Sequence, residues 1–316
     1  MDDNINFGNV LAGAGSHSFV SERYYLELDG REVGFVKSID GGGISAEVIQ
    51  ERSGPDNFVH KHIGAPKYEE VAIEAGFSLD EALYEWIAQT WKAINQRKDI
   101  SIYTLDHNNK IQRQEDYFNA LISEVSFPKI DASSKETGFM SIKFAPEYTR
   151  YKNGSGKLGI TQAKDQQKSW LLSNFRLNID GLDGSKVSQI ASITVRQSFT
   201  QVAVGEMRDY LKEPTSVEFP NLAITLPESH AESWYEWHDD FVIKGNNSAD
   251  KEKSGTLTLL SPNLKSVLAR IDLRRMGIFK ITDDKREANN DQIKRVTAEL
   301  YVEQMDFVYK DFSVSR

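Results

Sequence analysis

The chain repeats its own pattern. The segment "RYYLELDG" at residues 23–30 returns as "NFRLNIDG" at 174–181, ending in both places on Asp-Gly. After it, "KYEEVAIEAG" is matched by "SVEFPNLAITLPES", and the Trp86 helix by "HAESWYEWHDDFVIKG" with Trp234. The closing strands of the first half are restated by "GTLTLLSPNLKSVLARIDLRRMGIFKI" and "IKRVTAELYVEQMDFVYKDF". Self-similarity in this order marks a tandem duplication, which limits the fold to one that a unit of ordinary domain size can complete. The second copy is the more diverged, since it lacks the His, Gly and Pro of "HKHIGAP".

Within the first unit, "YYLELDG" and "REVGFVKSI" alternate on either side of Asp29-Gly30, which predicts a hairpin. The glycines at 41–43 predict a sharp bend before the alternating "ISAEVIQE". Residues 78–94 predict a helix, with Ser78 and Glu81 as its capping box and Leu79, Leu83, Trp86, Ile87, Trp91 and Ile94 as its apolar stripe. Three strands follow, "DISIYTL", "DYFNALISEVSF" and "GFMSIKFAPEYTRY". The reading is therefore mostly β (α+β), with an N-terminal arm at 1–17, a first domain at 18–152, a linker at 153–170 and a second domain at 171–316. Trp86, Trp91, Trp234 and Trp237 are expected in the cores, the last two by their helical spacing.

The 47 acids against 38 bases leave a net charge of −9, which speaks against sequence-specific nucleic-acid binding and for solubility. No cysteine is present, so disulfides, thiolate metal sites and cysteine nucleophiles are excluded, as suits assembly in a reducing cytosol. The first residues carry no basic segment followed by an apolar run, so no signal peptide is expected. No apolar stretch approaches the ~20 residues that a membrane helix needs.

Local chemistry is thin. His60 and His62 lack a third ligand nearby, so no metal is expected. "NGSGKLG" at 153–159 misses the phosphate-loop spacing, and "GGGIS" lies between strands rather than opening a helix. The acids Glu81, Glu85, Asp239 and Asp240 read as solvated helix faces. With no nucleophile and base set in view, neither catalytic residues nor a cofactor are expected.

The stretch "YYLELDGREVGFVKSIDGGGISAEVIQERSGPDNFVHKHIGAPKYEEVAIEAG" resembles the tail-tube protein family of contractile phages and extracellular contractile injection systems. The resemblance runs over residues 20–150. It implies a tube-type β-sandwich or small barrel with one flanking helix, here in two tandem copies. It also implies sixfold rings whose inner strands join edge to edge, stacked into a tube, with partners among other tube, sheath, baseplate or cap proteins.

The family's inter-ring loop falls on Gly54, Pro55, Asp56, Asn57, Phe58, Val59, His60, Lys61, Gly64, Pro66, Lys67 and Tyr68. The physics of that stretch agrees, because Phe58 and Val59 are costly to leave exposed unless a neighbour covers them. Family members usually carry one such domain. Two per chain allow a pseudo-sixfold ring of three chains, or six chains with one domain each in the tube. The implied role is a structural tube or tube-end protein that is part of a phage or extracellular particle. The alternatives are a baseplate initiator or cap adaptor, and a duplicated β-barrel carrying a small ligand.

Overall fold

The computed structural model describes residues 22–52, 58–160, 169–205, 209–284 and 293–309. The first half runs through β1 (Arg23–Leu28), β2 (Arg31–Val36), β3 (Ser38–Gly41), β4 (Ile44–Glu51), β5 (His60–Tyr68), β6 (Val71–Ala75), helix α1 (Glu81–Trp91), β7 (Lys98–Leu105) and β8 (Ile111–Phe127). The short β9 (Ile130–Asp131) and β10 (Thr137–Gly138), then β11 (Met140–Ala145) and β12 (Tyr148–Asn153), complete it. The second half has β13 (Trp170–Leu171), β14 (Phe175–Ile179), β15 (Gln189–Ile190), β16 (Ile193–Val202), β17 (Leu211–Glu218), β18 (Leu222–Pro227), helix α2 (Glu232–His238), β19 (Lys253–Leu260), β20 (Val267–Asp283) and β21 (Arg295–Val308). The protein is mostly β.

The two halves follow similar strand paths. The first sheet runs β2-β1-β7-β8-β11-β6-β3, and the second runs β14-β19-β20-β21-β18-β15 before taking β9 at its edge. From β1 and β14 onward these are the same path, with β2 lacking a counterpart and β21 doing in one strand what β11 and β12 do in two. The repeat extends to local irregularities. Asn119 in β8 and Arg275 in β20 both sit in the left-handed region (φ 50° and 52°), and each sheet is bulged a few residues later on the same strand. Bulges of this kind aim strands rather than mark defects.

Local chemistry explains the first hairpin. Asp29 and Gly30 both have positive φ (49° and 78°), as a two-residue turn between right-twisted strands requires. Helix α1 is shorter than the 78–94 that periodicity predicts. Its cap is Asp80 rather than Ser78, because Asp80 Oδ1 accepts the Ala82 N–H at 3.0 Å and the same carboxylate also holds Arg31 at 2.9 Å. Ile94 lies beyond the helix and is exposed, since the chain turns at Ala93 (φ 57°). The rest of the predicted stripe is buried.

One core runs through both halves. Trp86 stacks on Phe144, while Trp91 meets Phe127, Phe219 and Phe307 edge-on. Tyr84 of α1 stacks on Tyr309 at 3.8 Å between ring centroids. Trp234 and Trp237 are buried under α2, with the Trp234 indole N–H donating to Asp183 O. The start of the 153–170 segment is packed as well: Leu158 and Ile160 cover Tyr25, Tyr103 and Leu105, and Trp170 is buried beside Phe77. No helix among the described residues is long and apolar enough to cross a membrane.

Candidate assembly interface

The two halves differ in where their projecting hairpins go. Strands β16 and β17 leave the second sheet and add to the first: β16 pairs antiparallel with β8, setting Ile193 opposite Phe127, Thr194 opposite Ser126, Val195 opposite Val125 and Arg196 opposite Glu124. Here β8 takes β11 on its other side, so the hairpin lengthens the first sheet past the end of β7.

Side chains lock this junction. Arg196 Nε donates to Glu124 Oε2 at 2.8 Å, and Lys143 holds the other oxygen at 3.0 Å. Burial works against ionisation of Glu124, but the hydrogen bonds and charges of Lys143 and Arg196 outweigh it and keep its carboxyl below the usual range. The hydroxyls of Thr194 and Ser126 are 2.8 Å apart. Farther along, Arg97 bridges Glu147 and Glu213, at 3.2 and 2.9 Å, while the buried Glu147 also accepts the Lys212 backbone N–H. Burial pushes the Lys212 amine below its ordinary value, against the pull of Glu70 and Glu147.

The equivalent hairpin of the first half, β4–β5, pairs only with itself, and every residue of β4 is exposed. It leaves the sheet at Gly41 and Gly42, both with positive φ; at Gly41 a Cβ would lie 2.4 Å from Glu70 O, so only glycine fits this exit. The receiving edge in the second half is likewise open. Among the described residues β19 reaches along β20 no farther than Met276, and beyond it β20 bonds to β21 alone.

The residues expected in an inter-ring loop are distributed along this hairpin. Gly54, Pro55, Asp56 and Asn57 lie outside the described residues. Phe58 is 76% exposed and Val59 lies beside it, while His60, Lys61, Gly64, Pro66, Lys67 and Tyr68 belong to β5. Tyr68 turns back to the body, its hydroxyl donating to Asp209 Oδ1 at 2.8 Å and accepting from Arg150. Sequence reasoning missed the receiving edge on β8 and the open one on β20, because nothing local marks where a long strand loses a neighbour.

Residues 20–150 match the family of the T4-like virus tail tube protein gp19. The tail-tube match thus spans β1 to β12 apart from the last residues of β12, the stretch over which the sequence resembles tube proteins, and it stops before the second half. Among solved structures, the chain is similar to the anti-feeding prophage cap (AFP tube terminating cap), with 23% identity and a TM-score of 0.40 over 46% of this chain and 99% of that one. It is also similar to a chain of the PVC sheath-tube complex in the extended state of an extracellular contractile injection system (19%, 0.38, 44% and 93%). A third is Hcp1 from Flavobacterium johnsoniae (14%, 0.26, 44% and 97%). No curated protein matches the chain.

Proposed function

We propose that this protein is a structural component of the tube, or of the tube's terminating cap, in a contractile injection apparatus or phage tail, and that it acts by assembly rather than by bond chemistry. The observation that carries the reading is the strand addition of β16 to β8. One such junction is already made inside the chain, which leaves one hairpin, β4–β5, from the first half and one receiving edge, on β20, from the second. Unlike surfaces of this kind join head to tail, and they close into rings when the rotation permits. Closure also removes the exposed strand edges that invite aggregation.

The tail-tube match of residues 20–150 supports the same role. Two units per chain favour a ring of three chains if the sixfold closure implied by the resemblance holds. The ring would serve as a conduit for cargo or DNA, with sheath, baseplate or cap proteins as neighbours. The ligand-carrier alternative loses ground, because the space a carrier would keep open is filled by Trp86, Trp91, Phe127, Phe144 and Phe307.

Negative-stain electron microscopy with mass photometry on the same sample tests the reading. Rings or short tubes of three chains are expected. A persistent monomer of 35.8 kDa, with or without baseplate partners present, would overturn it.

A further inference from the structure

We infer that β4 of one chain adds to the open edge of β20 in a second copy, and that residues at the two junctions are matched so that neither hairpin can take the other's place. The inference rests on the assembly reading above. It deepens that reading by naming the partner and the register.

The register follows from internal equivalence. Both hairpins carry their bulge at the same point, between Ala46 and Val48 in one and between Gln197 and Phe199 in the other. The receiving strands are equivalent too: Lys98 pairs with Ala120 as Lys253 pairs with Met276, and Ser123 and Phe279 are the bulged residues. Within the chain, Thr194 faces Ser126, Val195 faces Val125 and Arg196 faces Glu124. Carried to the second junction, Gly43 faces Thr282, Ile44 faces Ile281 and Ser45 faces Lys280.

Three sets of residues then change together. Arg196 meets Glu124 inside the chain. The counterpart of Glu124 is Lys280, which has the same charge as Arg196 and is already paired with Glu299 at 2.6 Å, whereas β4 brings Ser45 to that place.

The second set concerns size. Ser123 is small and buried, and it shares a crevice with Gln197 and Val217, a pair across the hairpin. Its counterpart Phe279 is large and 40% exposed, and the residues of β4–β5 that would cover it are Ala46 and Pro66, likewise a pair across their hairpin. Large meets small at both junctions, with the sides exchanged.

The third set concerns hydrogen-bond donors and acceptors. Arg97 holds Glu213 within the chain. Arg97 corresponds to Glu252, and Glu213 corresponds to His62, so the sides that carry the carboxylate and its nitrogen partner are also exchanged. His62 is thereby set beside Glu252 of the next chain, a carboxylate that already accepts the Tyr301 hydroxyl at 2.9 Å. A wrong pairing sets Arg196 against Lys280 and crowds Gln197 and Val217 onto Phe279. Specificity here comes as much from these repulsions as from the attraction of the correct pairs.

The absence of native cysteine makes the test direct. In the full chain, Ile44→Cys with Ile281→Cys is oxidised or treated with a short bis-maleimide after assembly. Covalent ladders that end at one closed multiple of the chain are expected, while Ile44→Cys with Val125→Cys should give none. Rings that form without 44–281 cross-links would overturn this inference and leave the assembly reading standing; failure to form rings at all would overturn both. The matching is tested separately. Glu252→Arg should weaken assembly about tenfold or more, and adding His62→Glu should restore it. Equal assembly by Glu252→Arg alone, or no recovery in the double variant, would overturn the matching.

Discussion

Arg196 of the second half and Glu124 of the first form the ion pair that closes the chain on itself, Nε to Oε2 at 2.8 Å across the β16–β8 ladder. Glu124 is largely shielded there and Arg196 is more than half exposed. A single duplicated chain thereby carries a finished example of the junction it is proposed to make with its neighbours. An oligomer's interface is usually seen only when the partner is present; here the partner is the other half of the molecule.

Charge reversal at this pair should be visible in stability. Arg196→Glu removes an opposite-charge cross-strand pair of the kind that contributes about 0.2–1 kcal/mol and sets two carboxylates opposite each other, which is destabilising. Thermal unfolding should shift down by a few degrees, and the exchanged variant Glu124→Arg with Arg196→Glu should recover part of the loss. An unchanged midpoint in Arg196→Glu would show that the pair does not fasten the hairpin.

Acid should loosen the first sheet around β8. The carboxyls of Glu124 and Asp116 both ionise below the usual range: burial opposes ionisation in each, and basic or hydrogen-bonding neighbours outweigh it, Lys143 and Arg196 for Glu124, Lys152, Gln114 and Ser101 for Asp116. A carboxyl depressed in the folded state contributes stability that is complete above its unfolded pKa and is lost as pH falls through the folded one. Stability should therefore hold from pH 7 down to about pH 4, near the unperturbed values, and drop below it. Urea unfolding along that series checks this, and Glu124→Gln should flatten the drop.

Much of the fold can be read in the sequence, for reasons visible in particular residues. Asp29-Gly30 reads as a turn because two positive φ angles in succession demand such residues, and the Trp86 stripe reads as a helix because its period is local. The helix start is harder to place, since Ser78 and Asp80 both suit a cap and only the Arg31 contact favours Asp80. The β16–β8 junction has no local signature at all. It pairs residues of opposite halves, and the reciprocal sizes of Ser123 and Phe279 mean nothing until the registers place Gln197 and Val217 over one of them. The exposure of Phe279 on its strand is likewise visible only in the structure.

Glycine at the exit of the first hairpin should be irreplaceable. Gly41 has φ 82° and no room for a Cβ beside Glu70 O. Gly41→Ala is expected to cost roughly 1–3 kcal/mol, the range for a residue forced into a sparsely populated backbone region. Because strain at this point redirects β4 rather than the core, ring formation should suffer more than the far-ultraviolet circular dichroism. Full assembly by Gly41→Ala would show that the exit angle is not needed.

The hairpin tip should act between rings rather than within one. If β4 engages the neighbouring chain near its base, at Gly43, Ile44 and Ser45, the tip at Phe58 and Val59 lies well along the strand from that contact and is left to reach another layer. Phe58 is 76% exposed, so Phe58→Asp removes no core contact and should leave unfolding of the chain unchanged within about 0.5 kcal/mol, as for surface substitutions away from special features. Rings should still close, and the 44–281 cross-link should still form, but stacks longer than one ring should disappear from micrographs. Tubes of ordinary length in Phe58→Asp would remove the tip from the stacking contact, and loss of single rings would place it in the lateral junction instead.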